Sequence, residues 1–129
     1  MNGARTGAAL FAALMLAACG GSGPTASPKD SLVQQGEALR RQKACASCHS
    51  IDGSGGVGPT WKGLAGSPVE LDDGTTVPAD EAYLRESMLD PSAKTVKGFR
   101  RGLMETVIKP NTLPDDEVRA LVAYIQSLK

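Results

Sequence analysis

The sequence has one histidine, three cysteines and no excess of charge of either sign. A structural zinc site needs four ligands, and a single histidine with three cysteines, of which Cys19 is far from the others, does not supply them from one cluster. With 14 basic and 14 acidic residues, the chain lacks the positive surplus typical of nucleic-acid binding. We do not expect an enzyme that makes or breaks bonds, because the one histidine belongs to the motif described below and no spare general base accompanies it.

The chain is also poor in aromatic side chains. After position 19 they are limited to Trp61, Tyr83, Phe99 and Tyr124. The segment from about 31 to 129 has the size of one small domain with one core. A core with so little aromatic bulk favours a large apolar prosthetic group that completes it.

The most informative stretch is Cys45-Ala46-Ser47-Cys48-His49. The spacing C-x-x-C-H is typical of c-type haem attachment, in which both thiols bond to one porphyrin and the adjacent imidazole binds its iron. Two alternatives use the same cysteines. A redox-active dithiol normally follows a strand, whereas the residues before Cys45 have a helical pattern, and a structural disulfide leaves His49 without a role.

The first 19 residues predict an export signal. An apolar run over 8–18 is too short to span a bilayer but fits the core of a signal peptide. It ends in Leu16-Ala17-Ala18-Cys19, which resembles a bacterial lipoprotein cleavage box and predicts a lipid-modified Cys19; the alternative is an ordinary signal cleaved after Ala18 or slightly later. Residues 20–30, rich in small residues, predict a flexible tether.

A helix is predicted from Ser31, with Gln34 completing its N-terminal cap, and it leads into Cys45. Its apolar face comprises Leu32, Val33, Gly36 and Leu39, and the residues expected outside that face are Glu37, Arg40, Arg41 and Lys43. Gly36 indicates a close approach by another backbone or a ring, although simple tolerance of a glycine is the alternative.

The remaining pattern predicts a loop, a hairpin and two more helices. Residues 51–59 are too glycine-rich for regular structure, and Asp73-Gly74 lies between two short β-prone runs. Helices are predicted over 79–89 and from Pro114 to the end, and the irregular stretch 92–112 between them contains Met104.

This order of features resembles class I cytochrome c over the whole domain 31–129. The resemblance implies an all-α fold of three to five helices around one covalent haem c, here with a small β-hairpin insertion. It assigns thioether bonds to Cys45 and Cys48, the proximal iron bond to His49, the carbonyl that orients this imidazole to Pro59, and packing against the haem to Trp61. It also implies that the terminal helices cross at Gly36 and Tyr124. Met104 is the expected distal ligand, with Lys97 or an open site as alternatives.

More narrowly, residues 71–91 resemble the cytochrome c domain fused to subunit II of some haem-copper oxidases. The transmembrane helices and copper-binding domain of that subunit are absent from this chain, so it resembles the cytochrome module alone. Together with the predicted lipid anchor at Cys19, the resemblance implies a membrane-anchored monohaem electron carrier of a respiratory chain, facing the periplasm or the cell exterior. Its partners would be a haem-copper oxidase or an upstream quinol-oxidising complex. The alternatives are a ligand-sensing or weakly peroxidatic haem domain with an open distal site, and a tethered subunit of a larger redox complex.

Charge is unevenly distributed along the chain. Residues 69–90 are mostly acidic, whereas the following stretch carries basic residues expected to dock on an acidic patch of a redox partner: Lys94, Lys97, Arg100 and Arg101. The alternative is an ordinary solvated basic stretch.

Overall fold

The computed structural model describes residues 27–129. It contains three α-helices, Pro28–Gln42 (α1), Glu81–Leu89 (α2) and Asp115–Ser127 (α3), and an antiparallel pair of strands, Pro68–Glu70 (β1) and Thr76–Pro78 (β2). Single 3₁₀ turns occur at Cys45–Ser47 and Met104–Thr106. This mostly helical fold with a small hairpin confirms the predicted fold class. The predicted signal, Cys19 and the first part of the tether lie outside the described residues.

The first helix begins earlier than the sequence predicted. The Ser27 hydroxyl accepts a hydrogen bond from the Asp30 amide at 3.2 Å, and the Asp30 carboxylate accepts one from the Ser27 amide at 3.3 Å. Pro28 takes the first helical position, where its missing N–H leaves no hydrogen bond unmade. The predicted start at Ser31 is therefore wrong, because the reciprocal cap at Ser27 starts the helix at Pro28, and residues 28–30 are helix rather than tether.

The two terminal helices cross at Gly36, as predicted. A Cβ atom on residue 36 would lie 2.1 Å from the carbonyl oxygen of Ala120 and 2.6 Å from Cβ of Tyr124, so only glycine allows this separation of α1 and α3. On α3, Val118, Leu121 and Ile125 are fully buried. The crossing fixes the end of α1, from which the chain enters Cys45.

The hairpin supports the irregular segment that precedes α3. Gly74 has a φ of +85°, which its turn requires, and Val69 pairs with Val77 across the strands. Leu71 forms a β-bridge with Val96, and the Lys97 amide donates to the Glu70 carbonyl at 2.9 Å. The segment around 94–97 thus lies against the hairpin like a short third strand.

No helix within 27–129 combines the length and apolar character needed to cross a membrane.

Candidate functional site

The Cys45–His49 motif turns sharply away from the end of α1. Ala44 adopts the left-handed region with a φ of +59°, and the 3₁₀ turn at Cys45–Ser47 follows. The His49 amide closes the turn by donating to the Cys45 carbonyl at 2.9 Å. Cys45 and Cys48 are half-buried free thiols, and burial raises the pKa of Cys45. Both thiols and the imidazole therefore belong to one compact turn.

The loop 50–61 folds back onto this turn and holds the imidazole of His49. The Gly58 amide donates to the Cys48 carbonyl at 2.9 Å, which brings Nδ1 of His49 to 2.7 Å from the carbonyl oxygen of Pro59. A carbonyl oxygen only accepts, so Nδ1 carries the proton and Nε2 keeps its lone pair. Burial of the ring lowers the pKa of His49, which favours this neutral form. The Trp61 ring stacks on the imidazole of His49, with the two ring centroids 5.3 Å apart.

A cavity of about 600 Å³ lies beside this turn. Its size falls within the range of small-molecule and cofactor sites. The predicted site residues within 27–129 all line it: Cys45, Cys48, His49, Pro59, Trp61, Lys94, Lys97, Arg100, Arg101 and Met104. Their convergence on one mainly apolar space is the arrangement that a bound porphyrin needs, because the attachment thiols, a nitrogen donor and a sulfur donor all reach it.

Two methionines reach the cavity. Met104 lies on the 3₁₀ turn Met104–Thr106 and is partly exposed, whereas Met88 on α2 is 5% exposed and packs in the main core. Sequence reasoning placed Met88 in the core, as the structure has it, but did not predict that it also lines the cavity. Either thioether is chemically able to bind iron, so the two must be separated by experiment.

The buried hydroxyl of Thr95 indicates what kind of cofactor the cavity fits. The residue is only 7% exposed and lines the cavity, and its hydroxyl has no hydrogen-bond partner within 27–129. Buried hydroxyls in proteins are normally paired. An orphaned hydroxyl on a largely apolar wall fits a ligand that carries hydrogen-bonding groups as well as an apolar body, as haem does with its propionates.

The basic stretch does not form a separate positive surface. Lys97 lies 2.5 Å from a Glu70 carboxylate oxygen, and Arg101 lies 3.1 Å from Asp72. Lys94 pairs with Glu86. Acidic and basic segments that are distinct in the sequence therefore neutralise each other across the hairpin and α2. Arg100 is exposed and has no ion-pair partner within the described part of the chain.

The rim of the cavity carries two exposed apolar side chains. Val57 is 54% exposed and Val107 is 51% exposed, and both line the cavity. Sequence reasoning did not single them out, because isolated valines in loops carry no signal of their position.

The environment of Arg40 differs from the one that the sequence predicted. The residue was expected outside the apolar face of α1, but its side chain is partly buried and donates to the His49 carbonyl at 3.1 Å. Its position one turn after Gly36, on the face that meets α3, was the available signal.

Comparison with known proteins identifies a family and a relative. The family model described as Cytochrome c matches residues 33–129. The chain is 30% identical over 100 residues to cytochrome c-551 of Stutzerimonas stutzeri, an alignment that covers 77% of this chain and 82% of the relative.

Proposed function

The chain belongs to the cytochrome c family, and on that premise we propose that it carries single electrons on one haem c, with His49 and Met104 as the two protein ligands of the iron. The family binds haem c covalently, and Cys45 and Cys48 have the spacing that attaches one such group. When bound, the haem supplies an iron that is reversibly oxidised and reduced by one electron. The observation that carries this proposal is the convergence of both thiols, the imidazole and the Met104 thioether on one cavity.

The hydrogen bond from Nδ1 to Pro59 supports the role proposed for His49. A histidine that binds a metal usually donates its other ring N–H to a carbonyl or carboxylate, which fixes both the tautomer and the ring orientation. Here the bond to Pro59 leaves Nε2 as the available donor atom. The stacked Trp61 further restricts rotation of the imidazole.

Met104 is the better distal ligand because Met88 already has a packing role. Met88 on α2 is buried in the hydrophobic core. Met104 lies on a short turn, and its side chain is not part of that core. Histidine–methionine ligation also raises the reduction potential, which suits a carrier late in an electron-transfer chain.

A spectroelectrochemical titration of the haem-loaded domain tests the function. We expect a reversible one-electron couple and no binding of carbon monoxide by the reduced protein, because His49 and Met104 would both bind the iron and leave no position open. Rapid carbon monoxide binding would instead indicate an open distal site and favour a sensing or peroxidatic domain. Copurification with other subunits from the native membrane would favour the subunit of a larger redox complex.

We further propose that the cavity rim docks on a haem-copper oxidase, as the resemblance of residues 71–91 implies. Of the four basic residues predicted to dock, Lys94, Lys97 and Arg101 have carboxylate partners, so Arg100 supplies a positive charge that is unpaired within the described residues. Val57 and Val107 supply an apolar contact. Electron-transfer contacts of this kind are small and transient.

Stopped-flow oxidation by a purified haem-copper oxidase tests the docking surface. R100Q should lower the second-order rate constant at low salt and reduce its salt dependence, since it removes a charge that no carboxylate within 27–129 neutralises. R101Q is the matched control, because the neighbouring Arg101 is already paired with Asp72. Equal effects of the two substitutions would contradict the role of Arg100.

The proposed membrane anchor depends on Cys19. Expression of the full chain with labelled palmitate should label the wild type but not C19S, and only the wild type should sediment with membranes. Labelling without Cys19, or wild-type protein free in the periplasmic extract, would contradict the lipoprotein proposal.

A further inference from the structure

Arg40 lies beneath the haem-attachment turn, and its surroundings differ from those of the other cations on α1. Its guanidinium donates to the carbonyl oxygen of His49 at 3.1 Å, and its Nε atom is buried without a hydrogen-bond partner within 27–129. The side chain therefore reaches from the last turn of α1 to the backbone of the proposed proximal ligand.

The charge on Arg40 is not neutralised by a neighbour. Arg41, the next residue, pairs with Glu37 at 2.7 Å, and Lys43 pairs with Glu117 at 2.8 Å. No carboxylate in the described residues lies within 4.0 Å of the Arg40 guanidinium. Placing an unpaired charge in a partly buried position costs stability, so packing alone is a poor reason for an arginine here.

We propose that Arg40 is a positioning residue that also sets the reduction potential: it holds the backbone of His49 and keeps an unpaired positive charge beside the iron ligand. This inference rests on the proposed role of His49. Oxidised iron carries one more positive charge than reduced iron, so a nearby fixed cation disfavours the oxidised state and raises the potential. Partial burial strengthens the effect, because water and salt screen the charge less.

Two substitutions separate the charge from the hydrogen bond. R40Q keeps a donor near the His49 carbonyl but removes the charge, whereas R40K keeps the charge on a flexible chain. R41Q is the matched control, because Arg41 is adjacent on the same helix, 62% exposed at its side chain and paired with Glu37.

The measurement is the midpoint potential of each haem-loaded protein by mediated titration, at low and high salt. At a fixed applied potential, R40Q should shift the ratio of oxidised to reduced haem severalfold towards the oxidised form, whereas R40K and R41Q should stay close to the wild type. High salt should reduce the R40Q difference only slightly. Chemical denaturation and the yield of covalent haem show whether each variant is folded and loaded.

If R40Q does not load haem, R40K still tests the proposal, because it should retain the wild-type potential even where its stability falls. Equal potentials in R40Q, R41Q and the wild type would overturn the inference, and so would an R40K potential as low as that of R40Q. Failure of the underlying function looks different: the wild type itself would show no reversible one-electron couple.

Discussion

Gly58 lies against the imidazole of His49 so closely that a Cβ atom on residue 58 would stand 2.6 Å from Cε1 of the ring. The next residue, Pro59, provides the carbonyl that accepts from Nδ1. The two residues therefore have complementary roles: Gly58 leaves room for the imidazole ring, and the carbonyl of Pro59 orients it.

This contact predicts that G58A disturbs the proximal ligand without preventing haem attachment. The added methyl group would push the imidazole off its hydrogen bond, while the thioether bonds to Cys45 and Cys48 do not depend on that ring. We expect covalent haem at near-normal yield, but a lower unfolding midpoint and faster binding of cyanide or carbon monoxide. G55A is the control, because nothing lies within 4 Å of a Cβ atom at Gly55. The same ligand-binding rates in both variants would contradict the prediction.

The helix crossing predicts that G36A destabilises the protein despite the better helix propensity of alanine. Alanine gains about 1 kcal/mol in an isolated helix, but here its methyl group overlaps the carbonyl oxygen of Ala120 and Cβ of Tyr124. Overpacking of this kind typically costs about 1–3 kcal/mol. Denaturant unfolding should show a net loss for G36A and almost no change for the exposed Q35A. A stabilised G36A would show that α1 and α3 approach less closely than described.

The orphaned hydroxyl of Thr95 predicts a hydrogen bond in the haem-loaded protein. If the haem supplies the partner, T95V removes a buried hydrogen bond and should lower the free energy of unfolding by about 1 kcal/mol, whereas T95S should lose less. The near-equal size of valine makes it a fair test of the hydroxyl. A haem-loaded T95V as stable as the wild type, or more stable, would mean that the hydroxyl stays unpaired.

The ion pair between Arg85 and Asp115 predicts an acid-dependent contribution to stability. The hydrogen bond and charge of Arg85 lower the pKa of Asp115 in the folded protein. A carboxylate with a lowered folded pKa contributes stability that is present above its unfolded pKa, about 3.9, and is lost as the pH falls through the folded value.

The stability difference between the wild type and D115N should therefore be constant near neutral pH, begin to fall near the unfolded pKa of about 3.9, and disappear as the pH drops through the lower folded pKa. It should be small, because the Asp115 carboxylate is exposed to solvent. D116N is the control, since Asp116 also lies in the first turn of α3 but has no ion-pair partner within residues 27–129. A difference that persists unchanged into acid would contradict this assignment.

Features determined by short-range chemistry were predictable from the sequence. The hairpin followed from Asp73-Gly74 between β-prone residues, α3 followed from Pro114 and its apolar stripe, and a close approach at Gly36 followed from a glycine inside a helical pattern. That the approaching element is the last helix was implied by the resemblance to class I cytochrome c. In each case the local residues leave the backbone few choices.

Features that depend on distant neighbours were not predictable. The basic stretch looked unpaired because its carboxylate partners, Glu70, Asp72 and Glu86, precede it by 8 to 29 residues. The start of α1 depended on two competing caps of similar type. Helical periodicity places Arg40 one turn after Gly36, but its hydrogen bond depends on where the carbonyl of His49 lies after the turn at Ala44, which periodicity does not reveal.

The central claim, that Met104 and not Met88 completes the iron site with His49, is tested most directly by the optical spectra of M104L and M88L. Leucine nearly conserves the volume of methionine, so both variants should fold. The wild type and M88L should show the weak far-red band of oxidised iron bound to methionine sulfur, and neither should bind carbon monoxide when reduced. M104L should lose the band and bind carbon monoxide readily. If M104L keeps the band, or if the wild type lacks it, Met104 is not the ligand and the account of this site is wrong.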